Sequence, residues 1–71
     1  MKCAIIGTGN IGLDLYYKLT KIKLFEEIVF FNRNPNSKGS KFCKKNRIKF
    51  YSDGVKNLKK QISSFEIIFD A

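Results

Sequence analysis

The chain has 71 residues, 14 Lys and Arg against 6 Asp and Glu, no His, and a formal net charge of +8. That length limits it to one domain with a small core, while 44% hydrophobic and 14% aromatic residues exclude a disordered tail or a collagen-like repeat. The longest apolar run, Ile28-Val29-Phe30-Phe31, is far short of the ~18 residues of a membrane span.

The start, Met1-Lys2-Cys3-Ala4-Ile5-Ile6, turns glycine-rich without the apolar stretch or cleavage site of a signal peptide, so a cytoplasmic protein is expected. Lys2 to Ile6 reads as a buried strand ending at Gly7. Ile11, Leu15, Leu19 and Ile22 then recur at spacings of four, four and three, which predicts a helix with that face on a sheet. Ile28 to Phe31 is β-branched and aromatic without polar alternation, as in a central strand covered on both sides.

Pro35 in Asn32-Arg33-Asn34-Pro35-Asn36 ends that strand, and Ser37 is the expected N-cap of a helix from about Lys38 to Asn46. Gly39 weakens this helix, and Phe42 and Cys43 are its apolar side. Ile48 to Tyr51 predicts a third strand. Ser52 or Asp53 should then cap a helix carrying Val55, Leu58 and Ile62, before a last strand from Glu66 to Phe69 that reaches Asp70 and Ala71. Four strands alternating with three helices, joined by right-handed crossovers, give a parallel α/β sheet with helices on both faces.

Gly7-Thr8-Gly9-Asn10-Ile11-Gly12 matches GxGxxG at the junction of the first strand and first helix. Gly7 permits the tight turn, Gly9 removes the Cβ that would keep a pyrophosphate off the backbone, and Gly12 lets helix and strand approach. The free amides at the helix start then face the phosphates, so a Rossmann-like dinucleotide site built on Gly7, Thr8, Gly9, Asn10, Ile11 and Gly12 is expected. A purely structural glycine turn is the other reading of the same residues.

The acidic residue that accepts from the adenosine ribose about 20 positions on is missing, and Asn32-Arg33-Asn34 stands there instead. Arg33 can pair with a 2'-phosphate and Asn34 does not repel one, which admits NADP beside NAD. Alternatively Arg33 is a solvated loop cation and Asn34 a turn former. Asp70 and Ala71 end the strand expected beside the first, at the switch point where ligands bind. Asp70 either meets the cofactor or caps nearby amides.

The lysines are spread over several amphipathic segments, and only Lys41 to Lys49 is concentrated, so solvated helix faces are favoured over a nucleic-acid groove. Cys3 and Cys43 have no CxxC spacing and no His partner, and are expected as reduced, packed thiols rather than nucleophiles or metal ligands. Tyr16, Tyr17, Phe25 and Phe42 are expected in packing rather than as base-stacking platforms.

Cys3 to Gly12 followed by Asp14-Leu15, then Pro35-Asn36-Ser37 with Gly39, and the closing Ile67-Ile68-Phe69-Asp70-Ala71 resemble the N-terminus of acylating acetaldehyde dehydrogenases. The resemblance spans essentially the whole chain. It implies half of a dinucleotide-binding domain, with Thr8 to Gly12 holding the cofactor pyrophosphate. It also implies an enzyme that oxidises acetaldehyde with NAD and coenzyme A to acetyl-CoA, in company with a 4-hydroxy-2-oxovalerate aldolase. The family's nucleophilic Cys and aldolase interface belong to a second domain, so no acyl-CoA chemistry is expected of this polypeptide alone. The family's Asp before the Pro-Asn-Ser turn is Asn34 here. Residues 1–71 are thus expected to be a truncated or split cofactor-binding segment, or else a small stand-alone nucleotide- or RNA-binding module. The open edge of the last strand should make it self-associate.

Overall fold

Strands β1 (Lys2–Ile6), β2 (Glu27–Phe31), β3 (Phe50–Tyr51) and β4 (Ile67–Asp70) form one sheet in the order β3-β2-β1-β4, with every neighbouring pair parallel. Helices α1 (Asn10–Ile22), α2 (Lys38–Lys45) and α3 (Lys56–Lys60) are the crossovers, and a 3-10 turn at Ile62–Ser64 follows α3. The computed structural model describes residues 1–53 and 55–71.

The two central strands, apolar at every position after their first residues Lys2 and Glu27, bury both of their faces, and their side chains sort by parity. Cys3, Ile5 and Phe30 pack with Leu19 of α1 and Cys43 of α2 on one face. Ala4, Val29 and Phe31 pack with Leu58 of α3 on the other. Phe30 and Phe31 are fully buried on opposite sides, each contributing roughly 1.5–3 kcal/mol of transfer free energy. The path from β1 to β3 runs outward on one face, and α3 returns the chain across the other face to place β4 beside β1. This is the doubly wound α/β arrangement expected of a partial Rossmann-like domain, with its switch point between β1 and β4.

Strand β4 is shifted by one residue from the expected Glu66 to Phe69, and three elements differ from expectation by more than that. The buried line of α1 runs through Gly12, Leu15, Tyr16 and Leu19, leaving Ile11 at 74% and Ile22 at 60% exposure. Both isoleucines lie about a quarter-turn round the helix from Gly12, whose close approach to the sheet sets the helix rotation. Strand β3 covers Phe50–Tyr51 rather than starting at Ile48, whose amide donates to Cys43 O at 2.8 Å at the end of α2, while Lys49 O still accepts from Phe30 N at 3.0 Å.

Helix α3 starts at Lys56, with Val55 as an N-cap that offers no side-chain hydrogen bond. Asp53 does not cap it: its Oδ2 accepts from Nδ2 of Asn57 at 2.7 Å. Residue 54, which the expected start adjoins, lies outside the described residues. Of the expected apolar trio only Leu58 is buried, since Val55 precedes the helix and Ile62 follows it into the 3-10 turn. Among the described residues no helix is long and apolar enough to cross a membrane.

Candidate functional site

The register aligns the carboxyl ends of three strands, because Ile6 pairs with both Phe31 and Asp70. The next residue of each strand therefore emerges at one edge. Gly7 N donates to Phe31 O at 2.8 Å, and Ala71 N donates to Ile6 O at 2.9 Å.

Gly7 turns the chain there with φ +103°, a conformation open to glycine, and a Cβ on it would stand 2.8 Å from Ala71 O. A Cβ on Gly12 would stand 2.5 Å from Gly7 O, so Gly12 is what lets α1 start directly over the turn. Gly9 differs from both: nothing lies within 4 Å of where its Cβ would be. It is the N-cap of α1 in extended conformation, without a side-chain hydrogen bond to the first-turn amides. Those amides and the positive end of the helix dipole face a cleft of about 410 Å³.

Asn32, the first residue after β2, sends its side chain inward. Its Nδ2 donates to Thr8 Oγ1 at 2.6 Å and Ser40 Oγ at 2.8 Å, with Ser37 Oγ and Asn34 O at 3.1 Å. Its Oδ1 accepts from Arg33 N at 2.8 Å. These two backbone neighbours fix the amide orientation, since a flipped amide would set acceptor against acceptor and donor against donor.

The hydroxyls continue the chain of bonds. Ser37 Oγ donates to Ser40 Oγ at 3.0 Å, and Ser40 Oγ donates to Asn34 O at 2.6 Å. Each hydroxyl has one proton, so Thr8 supplies the one between Thr8 Oγ1 and Ser37 Oγ at 3.3 Å. Ser40 is fully buried and Thr8 nearly so, and both are satisfied by this network.

The network ties α2 to the glycine turn. Ser37 caps α2 as expected, accepting from Ser40 N at 3.1 Å. Gly39 lies so close to Thr8 that an added Cβ would overlap the Thr8 carbonyl. The start of α2 thus becomes one wall of the cleft, whose lining includes Gly7, Thr8, Gly9, Asn10, Asn32 and Lys38. A second hollow, about 330 Å³, lies at the amino ends of the strands between Tyr16, Phe25 and Arg47, away from the glycine turn.

Of the residues expected at the site, Gly7, Thr8, Gly9 and Asn10 line the cleft, Gly12 sits beneath it, and Ile11 is exposed on the first turn of α1. Ala71 packs against Gly7 and Gly12, and Asp70 is exposed one residue before it. Arg33 and Asn34 are exposed in the β2–α2 loop and are not part of the cleft lining. Asn34 Oδ1 takes the amide of Asn36 at 2.9 Å, a turn-forming role. Asn32, Ser40, Gly39 and Lys38 are the contributors that motif reading overlooks. A glycine one residue inside a capped helix is the signal that exposes them.

No family model matches the chain. It is 40% identical over its whole length to an acetaldehyde dehydrogenase of Pseudoalteromonas translucida and 41% identical to acetaldehyde dehydrogenase 4 of Paraburkholderia xenovorans. An acetaldehyde dehydrogenase of Burkholderia pseudomallei is 34% identical over 99% of the chain. The chain belongs to the acetaldehyde dehydrogenase family. It spans about a quarter of the length of these relatives, 24% in each case.

In this acetaldehyde dehydrogenase segment both cysteines are free and buried. Burial pushes the Cys3 and Cys43 thiols up from 9.0 to about 11, since a thiolate there would lose its hydration. Neither is a thiolate near neutral pH, so neither is set up as a nucleophile. Among the described residues no group of three or more His, Cys, Asp and Glu is placed to hold a metal ion.

Proposed function

We propose that this chain is the nicotinamide-dinucleotide-binding part of an acylating acetaldehyde dehydrogenase, which converts aldehyde, coenzyme A and NAD or NADP to acyl-CoA and the reduced cofactor. The observation that carries the reading is the open space over Gly9 at the uncapped start of α1. A group that needs backbone amides and no Cβ fits there, as the pyrophosphate of a dinucleotide does. Thr8 to Gly12 hold that pyrophosphate through first-turn amides, and the Asn32 network keeps Thr8 and α2 in place around it.

The cofactor supplies the hydride acceptor of the oxidation. This chain's own part is binding and orientation, because Cys3 and Cys43 are buried protonated thiols and the sequence has no His to act as base. The nucleophile and coenzyme A site of the whole reaction are assigned to other parts of the enzyme. The unpaired edge of β4, with Ile68 37% exposed, is proposed to associate with further strands or with a second copy.

Calorimetric titration of the folded chain with NADH and NADPH tests the reading. Saturable binding of at least one of them is expected. A folded chain that binds neither at millimolar concentration would overturn it and leave the glycine turn as architecture.

A further inference from the structure

The dinucleotide cleft has one charged residue among its described lining, and that residue is Lys38. No carboxylate lines it, although an acidic side chain at the end of β2 is how such sites hold the unmodified ribose of NAD. The two candidates for that job are occupied. Asn32 has its amide committed to Thr8, Ser40 and the Arg33 amide. Asn34 uses its Oδ1 on Asn36 and does not line the cleft.

Lys38 is also misplaced by the ordinary rules of helix construction. It is the first residue of α2, where the helix dipole and free amides favour an anion, and the first turn contains no acidic residue. Among the described residues the ion pairs are Met1 with Glu26 and Asp14 with Lys18, so Lys38 has no partner there. A cation in that position becomes favourable once an anion lies beside it, drawing on the lysine and the helix terminus together. The segment that sets its position is fixed beforehand: Ser37 is held by the hydroxyl network, and Lys44 Nζ donates to Pro35 O at 3.2 Å.

We infer that Lys38 is the residue that selects the cofactor, by pairing with the 2'-phosphate of NADP, and that this site prefers NADP over NAD. The inference rests on the dinucleotide reading of the cleft. It assigns the choice to Lys38, an exposed residue on the cleft wall, rather than to Arg33, which lies in the loop outside the cleft lining.

The test is titration of the 71-residue chain, its Lys38→Gln variant and its Arg33→Gln variant with NADPH and NADH, with circular dichroism confirming that each is folded. Wild type is expected to bind NADPH at least about tenfold tighter than NADH, the scale of one hydrogen-bonded charge. Lys38→Gln should abolish that preference by weakening NADPH binding more than NADH binding, and Arg33→Gln should retain it. The preference should shrink as salt rises. NADH bound as tightly as NADPH by wild type, or a preference unchanged in Lys38→Gln, overturns the assignment while leaving the dinucleotide site intact. Binding of neither cofactor by the folded chain overturns the site itself, and the assignment with it.

Discussion

The side chain of Asn32 donates to the hydroxyl of Thr8 at 2.6 Å across 24 residues of sequence. This bond links the end of β2 to the turn that leaves β1, at the point where α2 also arrives through Ser37 and Ser40. The walls of the cleft are therefore held by one polar network as well as by the apolar core beneath. Its groups can be satisfied only when the turn, the strand end and the helix start are all in place.

Replacing Asn32 with Ala removes the donor to Thr8 and Ser40 and the acceptor for the Arg33 amide. Thr8 and Ser40 are buried, so water does not readily replace the lost partner. Asn32→Ala is expected to lower the unfolding free energy by about 1–3 kcal/mol in urea titration. A change below about 0.5 kcal/mol, the scatter of ordinary surface substitutions, would contradict the role of the network.

Gly39→Ala sets two effects against each other. Helix propensity alone favours Ala by about 1 kcal/mol in a helix interior. The added methyl would overlap the Thr8 carbonyl, which is backbone and cannot swing aside. Overpacking of this kind costs typically 1–3 kcal/mol, and here it also forces α2 off the glycine turn. The expected result is a net loss of stability and weaker dinucleotide binding. A stabilised Gly39→Ala variant would show that α2 does not press on Thr8.

The sheet and its order were legible because Ile5, Phe30 and their neighbours form short apolar runs between turn residues, and the GxGxxG junction fixed where the first helix begins. The rotation of α1 was not, because Gly12 occupies the line of closest approach and counting apolar residues passes over a glycine. That is why Ile11 and Ile22 look like core in the sequence and are exposed in the fold. The motif located the phosphate-facing turn. It said nothing of Asn32 or Lys38, whose roles depend on an inward rotamer and on the docking of α2.

The buried thiols make stability depend on alkaline pH. Cys3 and Cys43 are raised from 9.0 to about 11, so above pH 9 the unfolded chain loses thiol protons that the folded chain keeps. Their stabilising contribution is complete below pH 9 and is lost as pH rises through about 11, by up to roughly 1.4 kcal/mol per thiol for each pH unit between the two values. The measurement is the difference in slope between wild type and Cys43→Ala, which isolates one thiol. The variant begins less stable because of its cavity, and its unfolding free energy should fall less steeply above pH 9. Parallel slopes would mean that the Cys43 thiol ionises as freely in the folded chain as in the unfolded one.

Gly9→Ala separates the architectural reading of the glycine turn from the functional one. Gly9 has no positive φ, and an added Cβ would meet nothing within 4 Å, so the fold places no steric demand on it. Alanine is a poorer N-cap than glycine, and the expected cost in unfolding free energy stays within about 1 kcal/mol. The methyl would nevertheless project into the space proposed for the pyrophosphate and hold phosphate oxygens off the α1 amides. Affinity for NADH and NADPH should fall by at least about tenfold, because hydrogen bonds to charged groups contribute about 1.5–3 kcal/mol each. Gly12→Ala, in contrast, should lose stability as well as binding, since its Cβ would stand 2.5 Å from Gly7 O. If Gly9→Ala binds both dinucleotides as wild type does, the phosphates do not lie over Gly9, and the start of α1 is not their cradle.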